Sequence, residues 1–118
     1  MQSIAELRAA CAALPHSQET FPFDATTLVF KVAGRMYALT DVQGDPVTLS
    51  VKVPPERGDA LRAEHEAIAP GYHLNKRHWV TVTLDGRVPA PLIQELLSSS
   101  HALVVRGLTR AQREALGR

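Results

Sequence analysis

The chain has 118 residues, with 13 Lys and Arg against 12 Asp and Glu and 45% hydrophobic residues. That is the size of one compact domain, and surface scaling buries about two-thirds of the extended chain's area in it, enough for one core without staples. The composition excludes a disordered charged tail, a collagen-like repeat and a disulfide scaffold.

Ser3 and Glu6 have the spacing of a capping box, and Ile4, Leu7, Cys11 and Leu14 recur at helical spacing before Pro15, so a first helix is expected over residues 3–14. Cys11 is the only cysteine and sits among small apolar residues, which points to a buried thiol. Glu6 and Arg8 interrupt the apolar stretch, so it lacks a signal-peptide core. No run approaches the roughly 20 apolar residues that span a bilayer, and a cytoplasmic location without membrane contact is expected.

Beyond the helix the period changes. Leu28, Phe30 and Val32 alternate with Val29 and Lys31, Ala33-Gly34 marks a turn, and Arg35–Asp41 resumes as a strand, predicting a hairpin. After a turn at Gly44-Asp45-Pro46, Val47, Leu49, Val51 and Val53 alternate with Thr48, Ser50 and Lys52, the pattern of a half-buried antiparallel strand with Lys52 on its polar side. Glu56–Ile68 reads as a helix with Leu61 and Ile68 inward. Val80, Val82 and Leu84 then alternate with Trp79, Thr81 and Thr83, and Asp85-Gly86 closes that strand. Pro89 and Pro91 suit a helix entry, Leu92, Ile93, Leu96, Leu97, Leu103 and Val104 form its apolar stripe, and Thr109 with Gln112 opens a short terminal helix.

Strands joined by short turns with helices at the ends predict a single α+β domain over residues 1–118, a two-layer fold with an antiparallel sheet carrying its helices on one face. No internal repeat or low-complexity segment interrupts it.

Charge is uneven along this chain. Six basic and nine acidic groups lie within residues 1–66, and seven basic against three acidic groups follow. Ala67–Leu84 holds no carboxylate, yet Lys76 and Arg77 lie there, with His73 and His78 beside them and Tyr72 and Trp79 bracketing the run. Lys, Arg and Asn contact phosphates and aromatic rings stack on bases, so Tyr72–Trp79 holds both kinds of contact. The competing reading is a solvated loop anchored to the core by its aromatic residues. A pI near 8.0 is below the range above about 9 usual for dedicated nucleic-acid domains.

Catalytic and metal signatures are missing from the sequence. Histidines 16, 65, 73, 78 and 101 form no metal-binding spacing and read as scattered surface residues. There is no nucleophile elbow and no phosphate-cradling glycine loop, and Ser100-His101 are neighbours in sequence only. Neither an enzymatic activity nor a cofactor or metal is expected.

Several blocks carry a family pattern: Glu19–Phe23 (ETFPF), Val29–Leu39 (VFKVAGRMYAL), Leu49–Lys52 (LSVK) and Pro70–Trp79 (PGYHLNKRHW), followed by Leu84-Asp85-Gly86, Val88-Pro89 and Leu96–Val104. Over about residues 19–105 the chain resembles the MmcQ/YjbR family. The resemblance implies a CyaY-like α+β domain, no enzymatic activity and no cofactor, and it brings the family's usual description as DNA-binding. The first helix has only Glu6 as an acidic residue, so the iron-binding carboxylate ridge of other CyaY-like proteins is not carried over. Arg35 stands where lysine is frequent, and His101 where a tyrosine is common.

The functional expectation is a non-enzymatic domain that binds nucleic acid, duplex DNA with weak sequence preference, through Lys76, Arg77, Asn75 and His73 with Lys52, Lys31 and Arg35 from an adjoining sheet face. Trp79 is either a stacking platform or a core anchor. The alternative is a module for a protein or a small anionic ligand on the sheet face around Lys31, Thr48, Ser50 and Lys52. A third reading is an enzyme using Glu19 and His73. A monomer or a homodimer is compatible with the pattern.

Overall fold

The computed structural model describes residues 1–72 and 74–116. Helix α1 (Ile4–Ala12) starts where the capping pair places it. The Glu6 amide donates to Ser3 Oγ at 3.1 Å, while the Glu6 carboxylate accepts from the Gln2 amide at 3.3 Å, one residue earlier than an ideal box. Leu7 and Cys11, one turn apart, are its buried residues.

Strand β1 (Ser17–Thr20), which no sequence pattern announced, forms one sheet edge against β2 (Thr27–Val32). The β2–β3 turn has φ of 51° at Ala33 and 76° at Gly34. Positive φ at both central residues is the condition for the type I′ turn that suits the twist of a hairpin. Strand β3 (Arg35–Asp41) contains an irregularity: Phe30 pairs with Ala38 but Lys31 with Met36, leaving Tyr37 as the extra residue of a bulge. Tyr37 and Ala38 consequently both enter the core.

Strand β4 (Thr48–Lys52) follows, then α2 (Pro55–Glu64), whose entry uses proline at a position where an amide has no partner. That helix stops earlier than its pattern implied. Ile68 lies in a short strand, β5 (Ile68–Pro70), because it pairs with Val82 rather than continuing the helical turn. Strand β6 (Trp79–Thr83), α3 (Ala90–Arg106) and α4 (Arg110–Leu116) complete the chain, and α4 is capped by the reciprocal Thr109–Gln112 pair.

All neighbouring strands are antiparallel, in the order β1-β2-β3-β4-β6-β5. Leu28, Phe30, Ala38, Leu49, Val51, Val80 and Val82 face the helices, meeting Leu7, Leu61, Ile93, Leu96, Leu97 and Val104 in one core. This is the expected two-layer α+β architecture. The other sheet face, called outer below, carries the alternate residues of each strand. Among the described residues no helix is long and apolar enough to cross a membrane.

Not every histidine lies on the surface. His101 is 8% exposed, stacks edge-on against Tyr37 at 5.2 Å, and its Nε2 lies 2.8 Å from the carbonyl of Pro15. Its imidazole ties α3 to the turn leaving α1.

Candidate nucleic-acid interface

Strand register sorts the outer face into three rows. The middle row runs Thr20, Val29, Leu39, Ser50, Thr81 and Ala69 across all six strands. Toward the β2–β3 turn, the next row holds Gln18, Lys31 and Met36 on one side and the Lys52–Trp79 pair on the other. Toward the opposite end lie Thr27 with Asp41, and Thr48 with Thr83. One end of the sheet is therefore basic and the other acidic.

Lys31 and Lys52 stand on strands separated only by β3, about 10 Å apart at the backbone from the usual strand spacing. Arg35 directly follows the hairpin turn and lines, with Met36, Lys52 and the α3 residues Leu103 and Val104, a shallow hollow at this end. Lys31 and Lys52 are each partly buried.

The loop between β5 and β6 is bolted to the same end. The Gly71 amide donates to the Trp79 carbonyl at 2.9 Å, and the Val53 amide donates to the His78 carbonyl at 2.8 Å, so residues 76–78 sit against the end of β4. Asn75 Oδ1 accepts from the Arg77 amide at 2.9 Å, an Asx turn that sets the direction of the arginine. Lys76 Nζ donates to the Gly71 carbonyl at 3.2 Å, a neutral partner that leaves its charge intact. Lys76 and Arg77 are exposed. Trp79 is 9% exposed, so its ring offers little face to a base. His73 lies outside the described residues.

The electrostatic pattern separates two populations of cations. Arg8, Arg57, Arg62, Arg87 and Arg110 are ion-paired with Glu19, Glu95, Asp59, Asp85 and Glu114. Lys31, Arg35, Lys52, Lys76 and Arg77, together with Arg106 and Arg113 on the last two helices, have no carboxylate within ion-pair distance among the described residues. Every described cation singled out from the sequence belongs to the second population. Glu19, by contrast, has both carboxylate oxygens within hydrogen-bond distance of Arg8 Nε on α1, and this pairing already occupies it. Among the described residues no group of three or more His, Cys, Asp or Glu is placed to hold a metal ion.

Sequence reasoning missed a concavity of about 570 Å³ on the outer face, running from Met36 across the middle row to Asp41 and Thr48. Thr48 and Ser50 line it, but Lys31 and Lys52 do not, so the polar sheet residues do not form one pocket with the lysines. The overlooked signal was Phe21 and Phe23, two aromatic residues in the ETFPF block that the structure leaves 48% and 71% exposed.

An antiparallel six-stranded sheet with its helices on one face, and loops walling the other, defines the class: a two-layer α+β domain with a basic sheet margin. The family model described as YjbR matches residues 12–103. The chain belongs to the YjbR family. It is 32% identical over 114 residues to the uncharacterised protein YjbR of Escherichia coli K12, covering 97% of each chain. It is 40% identical over 63 residues to the uncharacterised protein YyaQ of Bacillus subtilis, covering 53% of this chain and 52% of that one. The crystal structure of Deinococcus radiodurans protein DR2400, with a domain described as DUF419, superposes with a TM-score of 0.94 at 61% identity, over 99% of this chain and 89% of that one. A Pseudomonas syringae protein superposes with a TM-score of 0.74 at 27% identity, over 86% and 97% of the two chains. None of these descriptions states a ligand.

Proposed function

We propose that the protein is a non-enzymatic nucleic-acid-binding domain that holds duplex DNA by its phosphates along the basic margin of the sheet. The observation that carries this reading is the separation of cations just described: five arginines are neutralised by their own carboxylates, while among the described residues Lys31, Arg35, Lys52, Lys76 and Arg77, which share one end of the sheet, have no carboxylate partner. Unpaired cations at a surface release condensed counterions when they meet a polyanion, and this supplies sequence-independent affinity. The margin consists of strand ends and a loop, with long cationic side chains in place of a helix that could enter a groove. Phosphate contact with weak sequence preference follows from that geometry.

A labelled duplex of about 20 base pairs, titrated at several salt concentrations, tests the reading. Affinity should fall with a log–log slope near −0.9 for each phosphate engaged, giving about −3 to −5 for this margin. Absence of binding at low salt, or a slope near zero, overturns it.

A further inference from the structure

The concavity on the outer face carries the opposite charge sense from the basic margin. Its floor is Met36 and Leu39 of β3, Thr48 and Ser50 of β4, and Thr81 of β6. Phe23 from the loop after β1 and Tyr72 from the loop before β6 rise on its rim, each 71% exposed. Its volume of about 570 Å³ is that of a small-molecule site, and its lining is mainly apolar with a few polar groups, as such sites are.

Among the described residues the charged members of the lining are Asp24 and Asp41, and no Lys or Arg joins them. Both flank Thr27: Asp24 accepts from its amide at 2.6 Å, and Asp41 is its cross-strand partner. Neither carboxylate has an ion-pair partner among the described residues. The amides of Thr27 and Thr26 hold the Asp24 carboxyl below the usual carboxylate range, so it is charged at neutral pH.

The floor also holds acceptors to spare. Ser50 Oγ and Thr81 Oγ1 lie 2.8 Å apart and share one hydrogen, and Thr81 Oγ1 accepts from the Tyr72 amide at 3.1 Å. Two hydroxyl oxygens carry four lone pairs, of which the shared hydrogen and the Tyr72 amide use two, so the pair keeps acceptor capacity that an ammonium can use. Ser50 is 4% exposed, and the hydroxyl pair lies at the bottom of the concavity.

We propose that this concavity binds an organic cation: an amine on an aromatic or branched aliphatic body, its ammonium against Asp24 and Asp41 and its body over Leu39 between Phe23 and Tyr72. Aromatic faces on the rim attract a cation as well as covering its apolar part. A carboxylate or phosphate ligand meets two like charges there and is rejected. The inference stands apart from the DNA reading, since it uses none of the basic residues.

The test titrates the nitrogen-15-labelled 118-residue chain with phenethylamine and follows its amide spectrum, with phenylpropionate and phenethyl alcohol as the anionic and neutral counterparts. Phenethylamine should shift the amides of Leu39, Ser50 and Thr81 saturably, and phenylpropionate should bind at least about tenfold more weakly. In Asp24→Asn/Asp41→Asn, which keeps the side-chain acceptors of both turns, phenethylamine should lose about fivefold or more and come level with the alcohol. The wild-type comparison needs no variant to fold. No shift at those amides at millimolar phenethylamine overturns the proposal, as does equal binding of amine and carboxylate.

Discussion

The Ser100 hydroxyl donates to the main-chain carbonyl of Tyr37, reaching across from α3 to the bulge in β3. The same oxygen accepts from the Lys52 amide at 2.9 Å. Tyr37 is the extra residue of the bulge, and direct pairing between β3 and β4 is confined to Ala38 with Val51 and Leu39 with Ser50. A side chain from the helix layer thus replaces the missing ladder bond and fixes the backbone of Lys52, one of the unpaired cations. Ser100→Ala should leave a buried carbonyl and a buried amide unsatisfied. The expected loss is about 1–3 kcal/mol in urea denaturation, with faster hydrogen exchange at the Lys52 amide.

Gly71 lies tight against β6. A Cβ there would lie 2.7 Å from Trp79 Cβ and 3.1 Å from the Trp79 carbonyl oxygen that Gly71 already hydrogen-bonds. Gly71→Ala should therefore push the loop off β6, at a cost of about 1–3 kcal/mol. Trp79 is the only tryptophan, so the displacement is read as a red shift in its emission.

Cys11 is fully buried beneath the sheet, and burial pushes its thiol up to about 12. In the unfolded chain the thiol ionises near about 8.5. The folded state therefore holds the proton where the unfolded state releases it. This contribution to stability is complete below the unfolded value and is lost as pH rises from there toward the folded one. Stability of the wild type should decline above about pH 8.5 more steeply than that of Cys11→Ala. Labelling by a thiol reagent at pH 8 should follow global unfolding, and rapid labelling of the native protein would contradict the burial.

Asp24 has the reverse sign. Amides of Thr27 and Thr26 favour its charged form, so its contribution is present above the ordinary carboxylate value and fades as pH falls through the lowered one. Asp24→Ala should be less stable than the wild type at pH 7, and the difference should shrink steadily below about pH 4. Thermal melts across that range measure it. A difference that persists unchanged in acid would assign the loss to something other than the carboxylate.

Periodicity made β2, β3, β4, β6 and the long third helix readable, because each buries alternate or helically spaced apolar residues against one layer. Strand β1 escaped it because Ser17–Thr20 has no apolar residue at all. It is held by pairing with β2 and by its tie to Tyr37 through the Ser17 hydroxyl. Ile68 misled because a helix end and a short edge strand look alike where one apolar residue follows a charged run. The cations were legible as residues but not as a surface. Their lack of carboxylate partners depends on where Glu19, Asp59, Asp85, Glu95 and Glu114 fall in three dimensions, and each of those is taken by a different arginine. The concavity was hidden for a related reason, since Phe23, Leu39, Ser50 and Tyr72 are far apart in sequence and only strand register and the paths of two loops bring them together.

Whether the carboxylate-free cations hold DNA is read most directly by comparing three paired substitutions on one duplex across a salt series. Lys76→Ala/Arg77→Ala and Lys31→Ala/Lys52→Ala should each flatten the log–log slope by about 1 to 2 and weaken binding, whereas Arg57→Ala/Arg62→Ala should leave the slope unchanged. Unaltered slopes in the first two pairs, or an equal loss in the third, would contradict binding through the basic margin.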